Sequence, residues 1–293
     1  MRLENQRASE NVEDRRGLRP GPVMIGGGLS ALFLALLVSF LGGDPQKVLQ
    51  QQQQQAQQPA GRGGRGGDSG QQLTPEEVKM GEFVKKILGS TEDVWGELFP
   101  PEFKRKYTEP TLVMFSGQTK SACGFANAAV GPFYCPADQK VYIDLAFYDE
   151  MKTKFKAPGD FAQAYVIAHE IGHHVQNLLG LTEKVHSRQG RVSKAEFNQL
   201  SVRLELQADY LAGVWAHHAQ KKAGLLEAGD LKEGLKAATA IGDDKLQMQA
   251  QGYVVPDSFT HGTSKQRLRW FAKGLQSGTI DGFDTFSVPY DEL

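Results

Sequence analysis

The hydrophobic pattern along the chain is most extreme at Val23–Leu41, VMIGGGLSALFLALLVSFL, nineteen residues without a charge. As a helix rising about 1.5 Å per residue, this run spans roughly 28 Å, close to the hydrocarbon thickness of a bilayer. It is longer than the ~7–15 residues of a signal-peptide core, and the polar tract after Gly42 argues against a buried core helix. The pattern predicts an uncleaved, single-pass transmembrane anchor. Residues 42–72 pass through a glutamine run and then GRGGRGG, with almost no apolar side chains. Burial cannot offset the ordering entropy of such a segment, so a flexible tether is expected. The alternative, an RGG-type RNA-binding segment, is disfavoured by a position beyond a membrane.

The pattern changes at Leu73. Thr74-Pro75-Glu76-Glu77 has an N-cap, a proline for the first helical position and a capping-box glutamate. Strands are predicted at Thr111–Phe115 and Val141–Leu145. In the second, Val141, Ile143 and Leu145 alternate with Tyr142 and Asp144, the signature of a half-exposed strand. Gly131-Pro132 and Cys135-Pro136 mark turns. Helical spacing then runs almost to the end, at Phe161–Leu179, Lys194–Lys222, Asp230–Gln247 and Ser264–Gln276. The fold class is α+β, a mainly helical domain with a small β-sheet. The organisation read from the chain is a cytoplasmic tail (1–22), the anchor (23–41), the linker (42–72) and one folded domain (73–293).

Charge and cysteines refine this picture. A net charge of -1 gives no global field to attract nucleic acid, and none is expected as a partner. Arg2, Arg7, Arg15, Arg16 and Arg19 precede the apolar run, whereas only Lys47 follows it closely. The positive-inside rule keeps the N-terminus in the cytoplasm and sends the domain across, into the periplasm or outside. There, thiols tend to be oxidised, so a Cys123–Cys135 disulfide is expected, with two reduced thiols as the alternative.

Candidate chemistry lies in AHEIGHHV, residues 168–175. His169 and His173 are four apart, so on a helix they project from one face and suit adjacent corners of a zinc tetrahedron. Glu170 is about 100° round the helix, placed to meet a metal-bound water as general base rather than to ligate. Downstream, LELQADYLAGVWA sets Glu205 and Asp209 beside small residues Ser201, Ala212 and Ala216. A carboxylate at such a close helix seam needs a cation. Glu205 is read as the third ligand and Asp209 as the group that orients a liganding histidine, with the roles exchanged as the alternative.

HEIGH followed by ELQAD resembles the Glu-zincin metallopeptidases. Cys123–Phe271, with SACG, GPFYCP, VYIDLAFY and FTHGTSKQRLRWF, resembles the bacterial putative neutral zinc metallopeptidases. That resemblance implies a zincin-like catalytic domain, one Zn2+ per chain, a peptide or protein substrate and a place on the bacterial inner membrane. It also makes the Tyr142/Asp144 strand a candidate substrate-pairing edge. His261, in THGTSKQR, is a candidate oxyanion stabiliser or resting-state metal shield, a capping or packing histidine being the alternative. His174 is read as packing or as a group behind the ligands, His186 as isolated in a polar connection, and His217, His218 and Arg267 as structural. The function expected is metal-assisted peptide hydrolysis. The alternatives are a zinc-binding but non-hydrolytic chaperone or adaptor tethered to the membrane, and a latent protease opened by a regulatory partner.

Overall fold

The computed structural model describes residues 1–17, 72–127, 131–155, 157 and 159–293. The apolar run Val23–Leu41 and the linker 42–72, apart from Gln72, lie outside them. Among the described residues no helix is long and apolar enough to cross a membrane. Met1–Gly17 and Leu73–Leu293 form one compact unit. The first seventeen residues, expected as a separate tail, are therefore part of the folded body.

Strand β1 (Val12–Asp14) lies in that N-terminal segment, and helix α1 (Pro75–Phe103) follows residues 18–72. As the sequence predicts, Thr74 caps α1 and Glu77 closes a reciprocal capping box. Next come β2 (Thr111–Phe115), the hairpin β3 (Gln118–Ser121) and β4 (Gly124–Asn127), β5 (Phe133–Cys135) and β6 (Lys140–Asp144). The main sheet has the order β1-β2-β6-β5; β1, β2 and β6 run parallel and β5 antiparallel. Helix α2 (Ala146–Thr153) leads to five more: α3 (Asp160–Leu178), α4 (Leu181–His186), α5 (Lys194–Ala223), α6 (Asp230–Ala240) and α7 (Asp243–Gln251). Helix α8 (Ser264–Ser277) completes the set. The domain is α+β and mostly helical.

Two expectations need correction. Strand β6 is buried on both faces: Val141 and Ile143 join the main core, while Tyr142 packs with Val113, Phe115 and Cys135. It also lies between β2 and β5, so its backbone is paired on both sides and it is not an edge for substrate. The sheet edge on that side is β5. The single helix expected over Asp230–Gln247 is two, broken at Ile241-Gly242. A Cβ at Gly242 would stand 2.3 Å from the Ser264 nitrogen, so only glycine lets α8 begin so close. Cys123 and Cys135 form a disulfide, as expected. It ties the β3–β4 hairpin region to β5.

Candidate metal centre

Helices α3 and α5 meet along small residues. A Cβ on Gly172 would come within 2.9 Å of the Ala208 carbonyl oxygen, so glycine sets how closely the helices approach. That approach brings side chains from both helices into direct contact. His169 Nε2 lies 3.1 Å from one Glu205 carboxylate oxygen and His173 Nε2 lies 3.4 Å from the other. One potential ligand atom from each of the three residues falls within 4.8 Å of the others. Among the described residues this is the group of His, Cys, Asp and Glu side chains that could hold a metal ion.

Each histidine is steered by a partner on its outer nitrogen. His169 Nδ1 lies 2.8 Å from Asp209 Oδ1, and His173 Nδ1 lies 2.8 Å from Gln176 Oε1. These acceptors take the Nδ1–H and leave both Nε2 atoms toward Glu205, the arrangement metal-binding histidines need. Gln176 is itself pinned, donating to Leu204 O at 2.7 Å and to Gln207 Oε1 at 2.9 Å. Asp209 is fully buried and also accepts from Tyr165 Oη at 2.5 Å. Arg267 donates to it from Nε at 2.8 Å and from Nη2 at 3.0 Å. Arg267, read from the sequence as an ordinary salt-bridge former, is thus a buried part of the site. The sequence assigns Gln176 and Tyr165 no role, and Arg267 lies in FTHGTSKQRLRWF without a place at the metal centre. The spacing of Gln176 three residues beyond His173 is the one hint available.

The electrostatics follow from this geometry. Burial works against charge on His169, but Asp209 and Glu205 outweigh it and raise its pKa to about 9. Burial likewise opposes ionisation of Glu205, yet His173, His261 and His169 hold it well below the usual carboxylate range. Asp209 is brought down to about 2 against burial, chiefly by Arg267 and His169. Without a metal, the buried carboxylates draw a proton onto His169. This donor set fits a divalent cation: two imidazole nitrogens and a carboxylate converge where the surroundings favour positive charge.

The centre opens into a cleft of about 620 Å³, walled by Phe133 and Tyr134 of β5, Phe147, Phe155 and Leu204 among others. Glu170 is buried and lines it; His261 and Arg267 line it too. The His261 loop wraps a single carboxylate: Asp243 Oδ2 accepts from the backbone nitrogens of Thr260, His261 and Gly262 at 2.7, 2.6 and 3.1 Å. His261 Nδ1 lies 3.2 Å from Asp243 Oδ1. Burial opposes charge on His261, but Glu205 and Asp243 raise its pKa.

The remaining histidines divide between wall and scaffold. His186, read as isolated, lies on the cleft wall. His174 bonds Tyr134 Oη and Thr108 O, while His217 and His218 bond the Leu275 and Gly278 carbonyls. Tyr142 donates to Asp138, and Asp144 accepts from the Gly117 and Ala146 backbone.

Two histidines one turn apart on a helix, completed by a glutamate from a later one, give the chain an HExxH site that could hold a metal ion. More narrowly, the chain belongs to the family described as "Putative neutral zinc metallopeptidase", whose model matches residues 1–286. The uncharacterized protein YpfJ of Escherichia coli (strain K12) is 49% identical over 301 residues, covering 98% of this chain and 99% of its own. The uncharacterized protein Rv2575 of Mycobacterium tuberculosis (strain H37Rv) is 43% identical over 209 residues, 68% of each chain. No solved structure matches.

Proposed function

We propose that this chain is a zinc-dependent peptidase in which His169, His173 and Glu205 hold one zinc ion and Glu170 is the general base. The observation that carries this reading is the double fixing of the centre: the three donors converge, and both histidines have their outer nitrogens held by Asp209 and Gln176. Simple polar packing requires no such tautomer control. Zinc, when bound with one position open, supplies Lewis acidity and lowers the pKa of water there to about 7. Glu170 takes the proton from the attacking water and returns it to the leaving amine. His261, which Glu205 and Asp243 favour in its protonated form, donates from Nδ1 to Asp243 and keeps the Nε2–H for the oxyanion that develops on the scissile carbonyl. The aromatic walls and the β5 edge give room for an extended peptide.

Metal analysis and peptide-library digestion of variants test the proposal. Glu170→Gln retains zinc and loses hydrolysis. Glu205→Ala loses zinc, together with the thermal stability that metal binding adds to the native state. Hydrolysis by Glu170→Gln at the wild-type rate, or stoichiometric zinc in Glu205→Ala, would overturn it.

A further inference from the structure

The N-terminal segment is built into the domain along its whole described length. Strand β1 pairs in parallel with β2, Val12 opposite Leu112 and Asp14 opposite Met114. The pairing is framed by Leu112 N donating to Asn11 O at 2.9 Å and Arg15 N donating to Met114 O at 2.8 Å. Ser9, buried, donates from Oγ to Glu92 at 2.6 Å, and Asn11 Nδ2 donates to Glu92 and Glu109 at 2.8 and 2.7 Å. Glu92 is itself buried in α1, so this is a prepared acceptor and not a surface contact.

Helix α1 is shaped to receive the segment. It carries glycine where the chain crosses it: a Cβ at Gly89 would lie 2.5 Å from the Arg7 carbonyl oxygen, and one at Gly81 2.4 Å from Arg16 Nη2. Glycine inside a helix is destabilising relative to alanine, and here close approach is its reason. Arg16, 8% exposed, then reaches the start of the same helix, donating from Nη1 to Glu77 O at 2.6 Å. Arg16 thus ties the end of the N-terminal segment to the start of α1.

The arginines of this segment are engaged in ion pairs. Arg7 pairs with Glu92 and Asp93 at 2.8 and 2.7 Å, Arg15 with Glu13 at 2.5 Å and Arg16 with Asp14 at 2.6 Å. The family match, residues 1–286, includes all of them.

We infer that Met1–Gly17 and Leu73–Leu293 lie on the same side of any membrane the protein meets. A single crossing between them would put about 30 Å of hydrocarbon between partners that hydrogen-bond. The glutamine- and arginine-bearing stretch before Leu73 lacks the apolar side chains for a second, returning span. Arg7, on the carboxylates of α1, Arg15, on Thr119 and the Lys120 carbonyl, and Arg16, on the Glu77 carbonyl, are docking groups of the segment, and they do not hold the N-terminus opposite the domain.

Variants of the full chain with one added cysteine, the Cys123–Cys135 pair retained, decide this in intact cells. Ala8→Cys and Gln189→Cys place thiols at exposed positions of the segment and of the domain. A membrane-impermeant maleimide is applied before and after permeabilisation, with the unmodified chain setting the background. Both sites reacting at the same stage is the expected result; one reacting before and the other only after overturns the inference. A second measurement guards against a misfolded variant. In native membranes, a zero-length carbodiimide should join the Glu13 carboxylate to the Lys140 ammonium, which form an ion pair, and the product should vanish in Glu13→Gln. Absence of that link from the wild-type chain also overturns it.

Discussion

Asp209 holds three partners in one plane of chemistry: the imidazole of His169, the phenol of Tyr165 and the guanidinium of Arg267. Arg267 is 2% exposed and Asp209 fully buried, so each is the other's compensation. Removing one partner of a buried pair strands a charge and costs about 3–5 kcal/mol. Arg267→Met is therefore expected to lower unfolding free energy by about that amount in a denaturant titration. It should also weaken zinc binding roughly 10–100-fold in chelator competition, because Asp209 no longer aims at His169 Nδ1. Unchanged zinc affinity in a folded Arg267→Met protein would restrict Arg267 to a structural role. His169, His173, Glu205 and Asp209 were legible as a constellation because each pair is one helical turn apart in sequence. Arg267 was legible only as a salt-bridge former, because its partner lies 58 positions away and no spacing joins the two.

Helix periodicity survived well because burial enforces it: α3, α5 and α8 match the predicted spans to within a residue at each end. The strands were harder, since a buried tyrosine with a phenolic partner alternates like an exposed residue, as Tyr142 does. The α3–α5 seam gives an element-level prediction. Gly172→Ala forces a methyl against the Ala208 carbonyl, and overpacking of this kind costs about 1–3 kcal/mol. The helices part, so zinc affinity falls as well, read by thermal melting and chelator competition. Gly96→Ala is the control: its Cβ meets nothing within 4 Å, and a helical alanine there should stabilise by about 0.5–1 kcal/mol. Equal effects of the two changes would remove the seam argument. The Cys123–Cys135 bond closes a sequence separation of 12. On the chain-entropy relation, its reduction should lower stability by about 3 kcal/mol. Melting with and without reductant checks this, and an unchanged midpoint would show that the hairpin and β5 hold their places without it.

At the scale of the whole molecule, what the sequence hid was where the domain begins. The apolar run and the polar tract after it separate residues 1–17 from the rest so sharply that the first segment reads as a tail. Three-residue β1, with Glu13 and Asp14 in it, is too short and too charged to register as a strand by alternation. Its role appears only when β2 supplies a backbone partner. That pairing also carries a consequence in time. Strand β1 precedes its partner β2, which ends at Phe115, about 100 residues later. At roughly 5–20 residues per second, β1 waits about 5–20 s on the translating ribosome before it can pair. During that interval Glu13 and Asp14 in the strand, and Arg15 and Arg16 after it, keep it from offering a sticky edge. A segment rich in charge is thus suited to being synthesised early and docked late.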